Sequence, residues 1–137
     1  MEFKTDSLIY TLRPDNIVEI TPNPDWEGNP TIEEVDKNIA LMRKLLDGQG
    51  RATLTELSNT YVDRKILEHY NKNPTGQVAA ALLTNSFGAK VMGNLILKLI
   101  KKAKSLDSPV KMFTDKAKAE MWLLRQIAEH NQQSTTD

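Results

Sequence analysis

The sequence predicts an α/β fold, a single mixed sheet in the element order β-β-α-β-α-β-α-β-α covered by helices. Three observations predict it. The run Val78-Ala79-Ala80-Ala81-Leu82-Leu83 has neither a polar interruption nor an alternation, the pattern of a strand buried on both faces. Directly after it, Thr84-Asn85-Ser86 offers helix-cap chemistry, and apolar residues recur at Phe87, Val91, Leu95, Leu99 and Ala103. Near the start, two β-branched and aromatic runs flank Arg13-Pro14-Asp15-Asn16, a turn with proline preset for its second position. An antiparallel hairpin therefore opens the sheet. Strands separated by helices then pair in parallel through right-handed crossovers.

The elements follow in order. Residues 8–12 and 17–21 form the hairpin strands, and the proline-dense stretch 21–30 denies both helix and ladder. Trp26 in that loop is expected as a lid on the core edge, with ligand stacking as its alternative. Thr31-Ile32-Glu33-Glu34 reads as a capping box, Thr31 capping and Glu34 reaching back. Val35, Ile39, Met42 and Leu46 give the helix its apolar stripe, and Gly48 stops it. Residues 52–57 read as a strand and 58–62 as a loop, after which Asp63 caps a short helix carrying Ile66, Leu67 and Tyr70. Pro109 opens a strand at 110–113, where its missing donor does least harm. Thr114 or Asp115 caps the last helix, with Ala119, Trp122, Leu123 and Ile127 facing inward; residues 130–137 are expected to fray.

At 137 residues the chain fits one domain, spanning 1–137, with 26% charged and 39% hydrophobic residues. The absence of cysteine excludes disulfides and thiolate zinc sites, and a start without an apolar signal core fits a cytoplasmic protein. The longest apolar segment, 91–100, is too short to span a bilayer. Formal net charge is zero, with acids in excess in the first half and bases in the second. No basic tract interleaved with aromatics is present, which argues against a nucleic-acid partner.

Catalytic chemistry is sparse. Of the two histidines, His130 falls in the expected tail and His69 on a short helix, with no second histidine at helical spacing. No metal and no cofactor are expected. Gly88 to Asn94 lacks the Gly-Lys-Ser/Thr ending of a phosphate loop. Glu33, Glu34 and Asp36 read as a solvated first helical turn.

The helix after residue 86 exceeds structural need. At about 100° per residue, its apolar side chains cover roughly half the circumference, wider than the stripe a sheet hides. The surplus is assigned to Met92, Ile96 and Ile100, opposite Lys90, Lys98, Lys101, Lys102 and Lys104. Three covers compete for it: another helix of the domain, a second copy in a homodimer, or a lipid, acyl chain or membrane surface. Loops at the carboxyl ends of parallel strands are the default ligand location. There, Thr84, Asn85, Ser86 and Lys90 form a candidate anion site, although capping explains the first three equally well.

In this order of elements, Leu54-Thr55-Glu56-Leu57-Ser58-Asn59, Ala80 to Ser86, Val91 to Leu97, Pro109 to Asp115 and Ala119 to Leu123 together resemble a STAS-type domain. The nearer likeness is to the bacterial SpoIIAA-like (STAS/CRAL-TRIO-like) proteins, over nearly the whole chain. The resemblance implies a non-catalytic regulatory or protein-interaction module of the anti-sigma-factor-antagonist type, with a protein partner or itself as a homodimer. Its alternative is a lipid or small apolar-ligand binding protein. Regulatory STAS domains carry a phosphorylatable serine at the helix start following this strand. Asp63 stands there instead, leaving Ser58 and Thr60, just upstream, as the candidate switch loop.

Overall fold

The computed structural model describes residues 1–58, 62–103 and 108–135, with side chains for all of these except 102, 103, 134 and 135. The elements are β1 (Glu2–Lys4), β2 (Leu8–Leu12), β3 (Ile17–Pro22), α1 (Ile32–Leu46), β4 (Ala52–Glu56), α2 (Arg64–Lys72), β5 (Ala80–Leu83), α3 (Phe87–Ala103), β6 (Val110–Phe113) and α4 (Lys116–Thr135). They build one mixed six-stranded sheet with the strands side by side in chain order. β1, β2 and β3 are antiparallel, and β3 to β6 are parallel. The hairpin turns where expected: Asn16 N–H donates to Arg13 C=O at 3.3 Å, with Asn16 left-handed at φ 69°.

The strand missing from the sequence-based order is β1. It has three residues and pairs Glu2 with Thr11 and Lys4 with Ile9 at the sheet edge. Only Phe3 turns toward the core, so the segment carries no periodicity to read.

Handedness divides the helices. Right-handed crossovers between parallel strands that advance in one direction place α1, α2 and α3 on a single face. α4 follows the last strand and covers the other. Strand alternation serves both layers: Ile17, Ala52, Leu54, Ala79 and Ala81 join Ala119, Leu123 and Ile127 of α4 in one core cluster. The alanines on both sides let α4 lie close, with Trp122 tilted against Phe113 at 5.6 Å between ring centroids. Arg13 ties the hairpin to this helix, reaching Asp15 and Glu19 at 2.7 Å and Glu120 at 2.5 Å. Asp115, rather than Thr114, caps α4 by accepting from Ala117 N–H at 2.9 Å. The helix continues to Thr135, so residues 130–135 are helical where a frayed tail was expected.

On the opposite face the helices brace one another. Val35 and Ile39 of α1 meet Ile66 of α2, and Leu67 of α2 meets Met92 and Leu99 of α3. Two expectations are corrected here. Thr31 caps α1 through the Glu34 N–H at 3.1 Å, but the Glu34 side chain does not reach back. It is buried, 4% exposed, and serves Ser7 instead. α3 is also rotated from the expected setting. Phe87 and Val91, two of the apolar residues that recur at helical spacing, are 84% and 49% exposed, whereas Ala89, Met92 and Gly93 are buried together with Leu99 of the same recurrence. Gly93 explains the rotation. A Cβ there would lie 2.9 Å from Met112 Sδ of β6, so the helix approaches the sheet most closely through its glycine.

Candidate functional site

A cavity of about 470 Å³ lies between the sheet and helices α1 to α3. Its floor is the helix-side register of the strands: Ile20, Thr53, Thr55, Ala80, Leu82 and Val110. Its roof is Ile66, Leu67 and Tyr70 of α2 with Ile96 and Ile100 of α3. The void follows from local sequence. Thr53 and Ala80 make the floor shallow, α2 is only nine residues long, and the helix clusters α1–α2 and α2–α3 contain no strand side chain. Helices supported by one another need not descend onto small floor residues. Pro24, Gly28 and Pro74 line the cavity and are exposed, so it reaches the surface near both strand ends. Trp26, half-buried, also lines it, its indole N–H held by Gly28 C=O at 3.2 Å.

One wall is polar. Asn38, 1% exposed, uses its whole amide. Its Oδ1 accepts from Thr5 Oγ1 at 2.5 Å and Tyr10 Oη at 3.0 Å. Its Nδ2 donates to Ser7 Oγ at 2.9 Å and Tyr70 Oη at 3.3 Å. Ser7 passes its own proton to Glu34 Oε2 at 2.6 Å, and the Ser7 backbone N–H donates to the same oxygen at 2.8 Å. Ser7, Asn38 and Tyr70 line the cavity. Burial raises the Tyr70 phenol above its ordinary pKa, an effect the Asn38 hydrogen bond opposes and the Glu34 charge reinforces. Tyr70 is therefore a protonated donor throughout the physiological range.

The residues singled out from sequence separate into distinct places. Ile96 and Ile100 face the cavity, while Met92 is buried at 4% among α2 and α3 side chains. The three thus point into the protomer rather than out as a free face. Ser58 lines the cavity, Asp63 caps α2 by accepting from Lys65 N–H at 3.4 Å, and Thr60 lies outside the described residues. The four anion-site candidates do not converge. Thr84 is buried and donates to Phe113 C=O at 3.3 Å, and Asn85 donates to Glu56 Oε1 at 3.2 Å. Ser86 Oγ accepts from Ala89 N–H at 3.1 Å as the cap of α3, and Lys90 is exposed. His69 sits 2.7 Å from Asp36 on the outer side of α1 and α2, and does not line the cavity.

From sequence, an apolar cavity beside the long helix is the expectation only of the apolar-ligand alternative, and the polar wall of Ser7, Asn38 and Tyr70 is not legible there. The one available signal was the threonine alternation at Thr53 and Thr55, which places small polar side chains where a helix-covered sheet ordinarily carries large apolar ones. Among the described residues no helix is long and apolar enough to cross a membrane, and no group of three or more His, Cys, Asp or Glu side chains is arranged to hold a metal ion. No family model, no curated protein and no solved structure matches this chain, so the fold and the cavity stand on their geometry alone.

Proposed function

We propose that this chain is a non-catalytic binding protein whose cavity takes a small apolar molecule. The cavity between sheet and helices carries the reading. Its volume, about 470 Å³, lies within the range of small-molecule sites, and its lining combines aliphatic side chains with a few converging polar groups. The surplus apolar arc of α3 borders this space: Ile96, which also packs against the cluster of Leu67, Met92 and Leu99, and Ile100 both line the cavity. The test is uptake of the uncharged dye N-phenyl-1-naphthylamine, read by its emission and by quenching of Trp26 in a Trp122→Phe background. One-to-one uptake that is lost in a folded Ala80→Leu variant is expected. Uptake unaffected by that substitution, or no uptake, overturns the proposal.

A second reading rests on Phe87 and Val91, four residues apart on α3 and exposed at 84% and 49%. An apolar pair at helical spacing supports a protein-interaction module of the STAS-like kind, with a second copy or another protein as partner. Sedimentation velocity decides it. Association that disappears in Phe87→Ser supports this reading, whereas a monomeric wild-type protein removes the homodimer.

A further inference from the structure

We infer that the molecule held in this cavity is uncharged and carries an oxygen acceptor, such as a carbonyl, that docks on the Tyr70 hydroxyl. This rests on the binding reading above and names its ligand class. Two independent observations carry it.

The first is the direction of the protons in the polar wall. Tyr10 and Thr5 give theirs to Asn38 Oδ1, Ser7 gives its to Glu34, and Asn38 spends both amide hydrogens on Ser7 and Tyr70. Tyr70 Oη is thus an acceptor toward Asn38, and its own hydrogen is the one hydroxyl proton of the group with no acceptor among the described residues. The residue lines the cavity, so that donor is available to a ligand. The donor is half-buried in the cavity wall, where an acceptor arriving with the ligand gains a hydrogen bond to it.

The second is the sign of the charge. Among the described lining residues there is no lysine, arginine or histidine, and the carboxyl-bearing one is Glu56. Behind the polar wall stands Glu34, already filled at Oε2 by Ser7. A carboxylate or phosphate entering this space would be stripped of water without a compensating cation and would face an acid. Anions are therefore rejected, and the free fatty acid or phospholipid headgroup is the wrong class. A neutral ketone or ester meets the donor at Tyr70 and the aliphatic floor together.

Isothermal titration calorimetry with three probes at pH 8 tests this: 2-undecanone, undecanoate and pentylbenzene. The ketone is expected to bind at least about tenfold more tightly than the carboxylate. Tyr70→Phe is expected to weaken the ketone by roughly two- to tenfold and to leave pentylbenzene unchanged, which also shows that the variant keeps its cavity. Undecanoate binding as tightly as the ketone overturns the ligand class while the cavity reading stands. Equal ketone affinity in wild type and Tyr70→Phe overturns the docking on Tyr70. Failure of all three probes, pentylbenzene included, overturns the cavity reading as well.

Discussion

Glu34 Oε2 accepts from both the backbone N–H and the hydroxyl of Ser7, at 2.8 and 2.6 Å, and so fastens the turn between β1 and β2 to the first turn of α1. Both partners are buried. Removing the carboxylate strands the Ser7 N–H, and the loss of a buried acceptor costs more than the hydrogen bond itself. Glu34→Ala is expected to lower unfolding free energy by about 1–3 kcal/mol. Glu34→Gln, which keeps an acceptor, is expected to lose less; urea denaturation measures both.

Tyr10 makes stability depend on alkaline pH. Burial first, then the neighbouring Tyr70 and the Glu34 charge, push its phenol well above the ordinary tyrosine value. The folded state therefore keeps a proton that the unfolded chain releases near pH 10. The contribution is complete below that pH and declines above it, by about 1.4 kcal/mol per pH unit for one such group. Chemical denaturation between pH 8 and 11 is expected to show the decline. Tyr10→Phe is expected to reduce the slope and to leave the share of Tyr70, whose phenol is also raised by burial.

Ala80 has the smallest side chain of the floor residues that line the cavity. A larger side chain there fills space that the backbone already encloses, without changing the strand. Ala80→Leu is expected to raise stability by about 1–2 kcal/mol as newly buried apolar area replaces void, and thermal melting checks it. A fall in melting temperature would show that the helices already rest on this position.

Gly93 holds α3 against β6. Its missing Cβ is the gap that Met112 Sδ occupies. Gly93→Leu cannot be absorbed by moving the methionine alone, because the Thr84 methyl lies 3.3 Å from the same point. The variant is expected to lose about 1–3 kcal/mol through overpacking. In Gly93→Ala the helix-propensity gain of about 1 kcal/mol opposes the crowding of a flexible methionine tip, so a smaller change is expected.

The order of elements was legible from sequence because each signal is local. The unbroken apolar run gave β5, the proline turn gave the hairpin, and Thr31, Asp63 and Asp115 marked helix starts that the structure places there. Parallel pairing of the later strands followed from connection length and handedness alone. β1 escaped because three edge residues carry no period.

What the sequence could not determine was distance. Whether α3 turns Val91 or Met92 inward depends on how near its axis comes to β6, and that is set by one glycine meeting one methionine from another element. Whether Glu34 caps its own helix or crosses to Ser7 depends on where the β1–β2 turn lies in space. The cavity is the sum of such distances. Thr53, Ala80 and Ile96 are ordinary residues in three separate segments, and they enclose a space because α2, braced between α1 and α3, makes its core contacts with those helices and not with the strands. Periodicity reports which side of an element avoids water. Only the tertiary structure decides whether that side meets a neighbour or an empty volume, since packing is a relation between segments and no single segment contains it.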